Sequence, residues 1–147
     1  MDKIRNFVVF LFMLLTASPV FAQNTADDSD SVAEAAQWEN VMQAIISVES
    51  NGNTKARKGN SVGAMQITPI LVAECNNILR ARRSKKRYKL SDRFSLAKSK
   101  EMFLLFQQKY NPKNCIEWAI RSWNGGIHFS ISKTQKYFER VMAAMKG

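Results

Sequence analysis

From Trp38 to the C terminus the apolar residues of this chain recur every three or four positions, and nowhere do they alternate convincingly. Trp38, Val41, Met42, Ile45 and Val48 share one helical face. Ser31 and Glu34 precede them at capping-box spacing, and Asn51-Gly52 follow, residues that tolerate the left-handed backbone of a helix end. The spacing predicts a helix over about 32–50. Thr68-Pro69 reads as an N-cap followed by proline at the first helical position, opening a helix through Ile70, Leu71, Ala73, Ile78 and Leu79 to about Arg82. Leu96, Ser99, Met102, Phe103, Phe106 and Tyr110 share a face over 95–110, which Asn111-Pro112 ends. A short helix fits 114–123, and a last one fits 133–146 with Tyr137, Phe138, Val141, Met142 and Met145 inward. Residues 51–67, punctuated by glycine and asparagine, read as a loop. The expected fold is all-α: one compact helical domain with little or no β-sheet.

The start of the chain reads differently. Lys3 and Arg5 precede the uncharged run 7–20 and then Val20-Phe21-Ala22, the pattern of a secretory signal peptide over 1–22. The run is shorter than the ~20 residues of a permanent bilayer span, so no stable membrane span is expected after cleavage. Residues 23–31 are polar and acidic and read as a flexible lead-in, leaving 32–147 as the domain. Export places the expected site of action in the periplasm or cell envelope of a bacterium.

Charge narrows the partners. From Gln37 onward the chain carries 20 basic and 7 acidic side chains, which draws it toward polyanions. For an exported chain these are wall polymers, acidic glycans or anionic lipid heads, and no nucleic-acid partner is expected. Seven of the ten residues from Arg80 to Lys89 are basic. Such a run reads as a solvated face, with docking on anionic envelope polymers through 80–89 as the functional alternative. The 147 residues leave no room for a nucleotide-binding domain beside a substrate domain. With His128 as the single histidine and two cysteines, neither a His-based metal site nor a Cys-rich scaffold is expected, and no cofactor or metal is called for. His128 reads as a surface loop residue. Cys75 and Cys115 leave a disulfide open as one possibility.

Glu49 is the residue out of place. It lies four positions after Ile45 and seven after Met42, on the apolar side of the first helix or its edge. It also occupies the last turn, where the helix dipole disfavours negative charge. Desolvation and the carbonyl end of the helix both raise a carboxyl pKa, toward the profile of a general acid. A second reading makes Glu49 a boundary residue turned to water or paired with Arg57 or Lys58. The adjoining Ser50-Asn51-Gly52-Asn53 and Gly63 to Pro69 supply amides, hydroxyls and close-approach glycines suited to sugar hydroxyl and acetamido groups.

Taken together, these residues resemble the catalytic domain of the soluble lytic transglycosylase family, relatives of goose-type lysozymes. Glu49-Ser50 is similar to the family's Glu-Ser at a helix end. Gly63-Ala64-Met65-Gln66-Ile67-Thr68-Pro69 is similar to its Gly-Leu-Met-Gln-Ile-x-Pro, and Ser122-Trp123-Asn124-Gly125-Gly126 to its Ala-Tyr-Asn-Ala-Gly. Thr134, Tyr137 and Val141 follow its closing Thr-x-x-Tyr-x-x-x-Val, and the stretch from Asp92 to Phe103 matches its middle helix weakly. The resemblance spans about residues 38–142. Trp123 stands where the family usually has tyrosine, and Ser95 and Ser99 where it has asparagine and glycine.

The resemblance implies a lysozyme-like fold whose cleft takes a peptidoglycan glycan strand. It also implies cleavage of the β-1,4 bond between N-acetylmuramic acid and N-acetylglucosamine with a 1,6-anhydromuramyl product. Glu49 is then the single acid and base. Gln66 and Asn124 are assigned to sugar hydrogen bonds and Ser50 to holding Glu49 or ligand. Met65 and Trp123 are assigned to apolar walls, and Tyr137 to a hydroxyl aimed at the same site. Plain core roles stay open for Met65, Trp123 and Tyr137. No Asp or Glu occurs from Ser50 to Ala73, the nearest being Glu74, and this scarcity favours the one-carboxylate route. A hydrolytic muramidase and a non-catalytic peptidoglycan-binding module are the alternatives.

Overall fold

Thr68 Oγ1 accepts the Leu71 amide at 3.2 Å with Pro69 behind it, so one helix starts where the sequence predicts. In the computed structural model, which describes residues 25–147 with side chains from 35 onward, this is the second of five helices. They are α1 (Thr25–Ser50), α2 (Pro69–Ala81), α3 (Leu96–Tyr110), α4 (Ile116–Gly125) and α5 (Ile131–Ala144). The expected signal peptide lies outside the described residues. The domain is all-helical apart from one small hairpin.

Three boundaries differ from expectation. Residues 25–31, expected as a flexible lead-in, are the first turns of α1. Ser130 Oγ caps α5, two residues ahead of the predicted start. Asn111 holds both the N–H and the C=O of Cys115 (3.0 and 2.9 Å), which delays α4 to Ile116. Within the expected loop, β1 (Arg57–Lys58) pairs antiparallel with β2 (Ser61–Val62), and a 3-10 turn spans Leu90–Phe94. Two-residue strands are too short to show alternation.

The core is built around α3. Phe103 is fully buried, with the Trp38 ring 5.8 Å and the Trp123 ring 5.1 Å from its centroid. Val41 and Ile45 from α1, Ile120 from α4 and Val141 from α5 complete it. Complete burial of each such side chain contributes about 1.5–3 kcal/mol. Met65 and Ile67 enter the same core from the loop before α2, so that loop is anchored by apolar burial.

Two polar devices fix the remaining geometry. Arg121, 3 % exposed, bonds Glu117 Oε1 (2.7 Å), Thr134 Oγ1 (3.1 Å), the Ile131 carbonyl (3.1 Å) and Gln135 Oε1 (2.8 Å). It joins α4 to α5, and its guanidinium lies over the Phe138 ring. Arg93 reaches the carbonyls of Asn60 and Ile67, tying the hairpin loop to the 3-10 turn. Gly63 passes so close beneath that turn that a Cβ there would sit 1.8 Å from the Arg93 carbonyl oxygen, at a φ of +81°. Only glycine fits.

Cys75 and Cys115 are not bridged. Cys75 is buried with its thiol on the Met102 carbonyl, and burial pushes its pKa up to about 12, whereas Cys115 is exposed at the start of α4. The two therefore occupy different environments.

Candidate active site

Glu49 sits in the last turn of α1, half-buried. The hydroxyl of Tyr137, from α5, donates to its Oε1 at 2.8 Å across 88 residues of sequence. Burial pushes the Glu49 carboxyl above its ordinary value; the Tyr137 hydrogen bond and the charges of Lys58 and Arg140 pull the other way and do not prevail. Tyr137 is 8 % exposed, and burial drives its own hydroxyl well above the usual tyrosine range, so it stays a donor. Neither Arg57 nor Lys58 forms a salt bridge with Glu49 among the described residues; the Arg57 guanidinium lies over the Phe94 ring at 4.7 Å instead.

The neighbouring loop is locked to this helix end. Ser50 Oγ donates to the Ala64 carbonyl at 2.8 Å, so Ser50 acts by holding the loop beside Glu49. One residue on, the Met65 carbonyl accepts the indole N–H of Trp123 at 3.1 Å. These two bonds connect the end of α1, through residues 64 and 65, to the end of α4.

Beyond them lies a cavity of about 400 Å³. Gln66, Trp123 and Asn124 line it as expected, together with Leu71, Phe106 and Glu74. Glu49 and Tyr137 are not on its wall. The sequence-named residues thus form two groups, an acid pair and a cavity, joined by the loop.

One assignment, that of Met65 to a ligand wall, needs correction. Met65 is fully buried, so its side chain belongs to the core and supplies no wall to a ligand; its carbonyl is what matters, by fixing Trp123. Gln66, at a left-handed φ of 52°, turns its Nε2 back onto the Gly63 carbonyl at 2.9 Å. Its Oε1 is shielded from solvent and has no partner among the described residues. A buried acceptor left open in this way is unusual. Asn124 is exposed and Trp123 half-buried, so both present polar or aromatic surface to the cavity. His128 is exposed, as expected.

Sequence reasoning named Glu74 only as the nearest carboxylate in the chain, without a place at the site, and did not name Arg140. Glu74, on α2, lines the cavity and accepts the Tyr110 hydroxyl at 2.5 Å. Arg140 stands one helical turn after Tyr137 and donates to the Val48 carbonyl at 3.1 Å, beside the acid. The three-residue step from Tyr137 to Arg140 was the available signal for the latter. Among the described residues no cluster of His, Cys, Asp or Glu has the makings of a metal site, and no helix is long and apolar enough to cross a membrane.

No protein-family model matches this chain, and no curated protein or solved structure matches it either.

Proposed function

We propose that the chain is a peptidoglycan lytic transglycosylase of the bacterial cell envelope, with Glu49 as its single acid and base. The observation that carries this reading is the Glu49–Tyr137 pair: a half-buried carboxyl at a helix end, raised by desolvation and held by a buried tyrosine. The motif resemblance supports it, as does a cavity with aromatic and amide groups one loop away.

The chemistry follows from the protonated acid. Glu49 gives its proton to the glycosidic oxygen between N-acetylmuramic acid and N-acetylglucosamine, and the C1–O bond breaks with both electrons leaving on that oxygen. An oxocarbenium-like centre remains at C1. Glu49, now a carboxylate stabilised by the Tyr137 hydroxyl, takes the proton from the muramyl 6-hydroxyl, and O6 bonds to C1. The 1,6-anhydro ring closes, the acid is restored and no water is consumed. Trp123 offers a face to a sugar ring, and Asn124 offers an amide to its hydroxyl or acetamido groups.

Glu74 gives a second reading a foothold. Its position on the cavity wall makes it the available second carboxylate of a hydrolytic muramidase. Mass spectrometry of digested peptidoglycan separates the two. Anhydro-ended fragments, one water lighter than reducing-end fragments, are expected from the wild type, and none from Glu49→Gln, which should still bind the polymer. Reducing ends would make the chain a hydrolase. Binding without release by the wild type would leave a glycan-binding module.

A further inference from the structure

The basic run 80–89 takes no part in this reaction, yet its structure is not that of a loose tail. Among the described residues, Lys86 is the one of its seven cations that meets a carboxylate, Glu101, at 2.6 Å. Arg80 and Arg82 bond the neutral amides of Asn77 and Gln108, and Arg87 bonds the backbone carbonyls of Ser84 and Lys86. None of these partners cancels charge. Tyr88, 6 % exposed, is driven into the core, and Asn76 holds both its N–H (2.8 Å) and its C=O (2.9 Å). Arg83 turns the chain at a left-handed φ of 56°. The cations are therefore displayed from a fixed loop although their mutual repulsion favours its release.

Exposed apolar residues follow the run in the chain. Leu90, directly after Lys89, is 53 % exposed, and Leu96, at the start of α3, is 36 % exposed. The Arg57 guanidinium packs on Phe94 of the 3-10 turn that begins with Leu90, which brings the exposed Arg57 and Lys58 of the hairpin to the same region. The aromatic rings nearby are not free for stacking: Tyr88 is buried and Phe94 is covered by Arg57. Protruding leucines among cations gain nothing from a hydrated polyelectrolyte, but they gain on entering a lipid interface.

We propose that this surface docks on an anionic phospholipid bilayer, with the cations of 80–89 over the headgroups and Leu90 and Leu96 entering the interface. Such docking is peripheral and independent of the reaction at Glu49. Each cation near an anionic leaflet adds to binding, and salt screens the attraction.

The test is sedimentation of the full chain with vesicles of phosphatidylcholine, with and without phosphatidylglycerol. Residues 1–34 are the same in every variant, so differences between variants report this surface. Arg83→Gln/Lys85→Gln/Lys89→Gln should weaken binding to phosphatidylglycerol vesicles at least about tenfold, and Leu90→Ser should weaken it several-fold. Binding to pure phosphatidylcholine should be the same for all variants. Wild-type binding to the anionic vesicles should fall from low to high salt, a measurement that needs no variant. The proposal is overturned if the triple variant, with an unchanged melting curve, binds as the wild type does, or if salt has no effect. It is equally overturned if Leu90→Ser binds as the wild type and soluble poly-glutamate or duplex DNA displaces the protein from vesicles, which would mark a general polyanion surface.

Discussion

Of the three tyrosine hydroxyls that donate to glutamates among the described residues, those on Glu49 and Glu74 make the shorter bonds; the two look alike on paper and differ in setting. Tyr137 donates to Glu49 at 2.8 Å, and Tyr110 donates to Glu74 at 2.5 Å. The first tyrosine is buried between α1 and α5, whereas the second is partly exposed on α3. Burial is the main reason the Tyr137 hydroxyl is raised; for Tyr110 the main reason is the hydrogen bond itself. At Glu49 desolvation outweighs the hydrogen bond and two cations, and the carboxyl moves up. The shorter hydrogen bond is therefore not the one that marks the acid. Removal from water does.

This contrast can be broken most decisively by neutralising each carboxylate. Glu49→Gln should lower turnover of peptidoglycan by about 10²–10⁴-fold, the usual contribution of a general acid. Glu74→Gln should leave it near the wild-type rate. Comparable losses in both would contradict the one-carboxylate account and favour hydrolysis.

The next effect is on pH dependence. The Tyr137 hydroxyl stabilises the Glu49 carboxylate, so Tyr137→Phe should raise the Glu49 pKa further and carry the alkaline limb of kcat/KM upward. Tyr110→Phe should leave that limb in place. A downward move in Tyr137→Phe would mean that the hydroxyl serves the protonated acid instead.

Stability should report the raised Glu49 carboxyl too, more weakly. A carboxyl whose pKa is higher in the folded than in the unfolded chain binds more protons when folded. Its contribution is fully present below the unfolded value and is lost as pH rises through the folded one. The stability of the wild type to urea should therefore fall across that window relative to Glu49→Gln. The smallest expected effect is that of Ser50→Ala, which removes the bond to Ala64 and should cost about 1 kcal/mol. If Ser50 holds the acid beside the cavity, that variant should lose activity beyond its loss of stability.

Helix starts and stops were legible because they are local. Thr68-Pro69, Ser95 and Asn51-Gly52 act through neighbours three or four residues away, and α2, α3 and the end of α1 follow them closely. Glu49 was legible for a related reason, as a charge on an apolar stripe. Its partner in space, 88 residues on, was named only through the motif resemblance. Glu74 and Arg121 were not legible, since the cavity wall and the buried α4–α5 junction that give them meaning arise only on folding. Met65 shows the opposite error: a motif residue assigned to a ligand wall is spent on the core, and it is the backbone beside it that orients Trp123.

The central claim concerns one carboxyl group, and its titration tests that claim directly. Carbon-detected NMR of the Glu49 side chain across pH, in the free protein, should give a midpoint above the ordinary 4.5 of a glutamate, with the Tyr137 ring reporting the same transition. A midpoint at or below 4.5 would mean that Lys58, Arg140 and the Tyr137 hydroxyl outweigh burial, and Glu49 would then hold no proton to give.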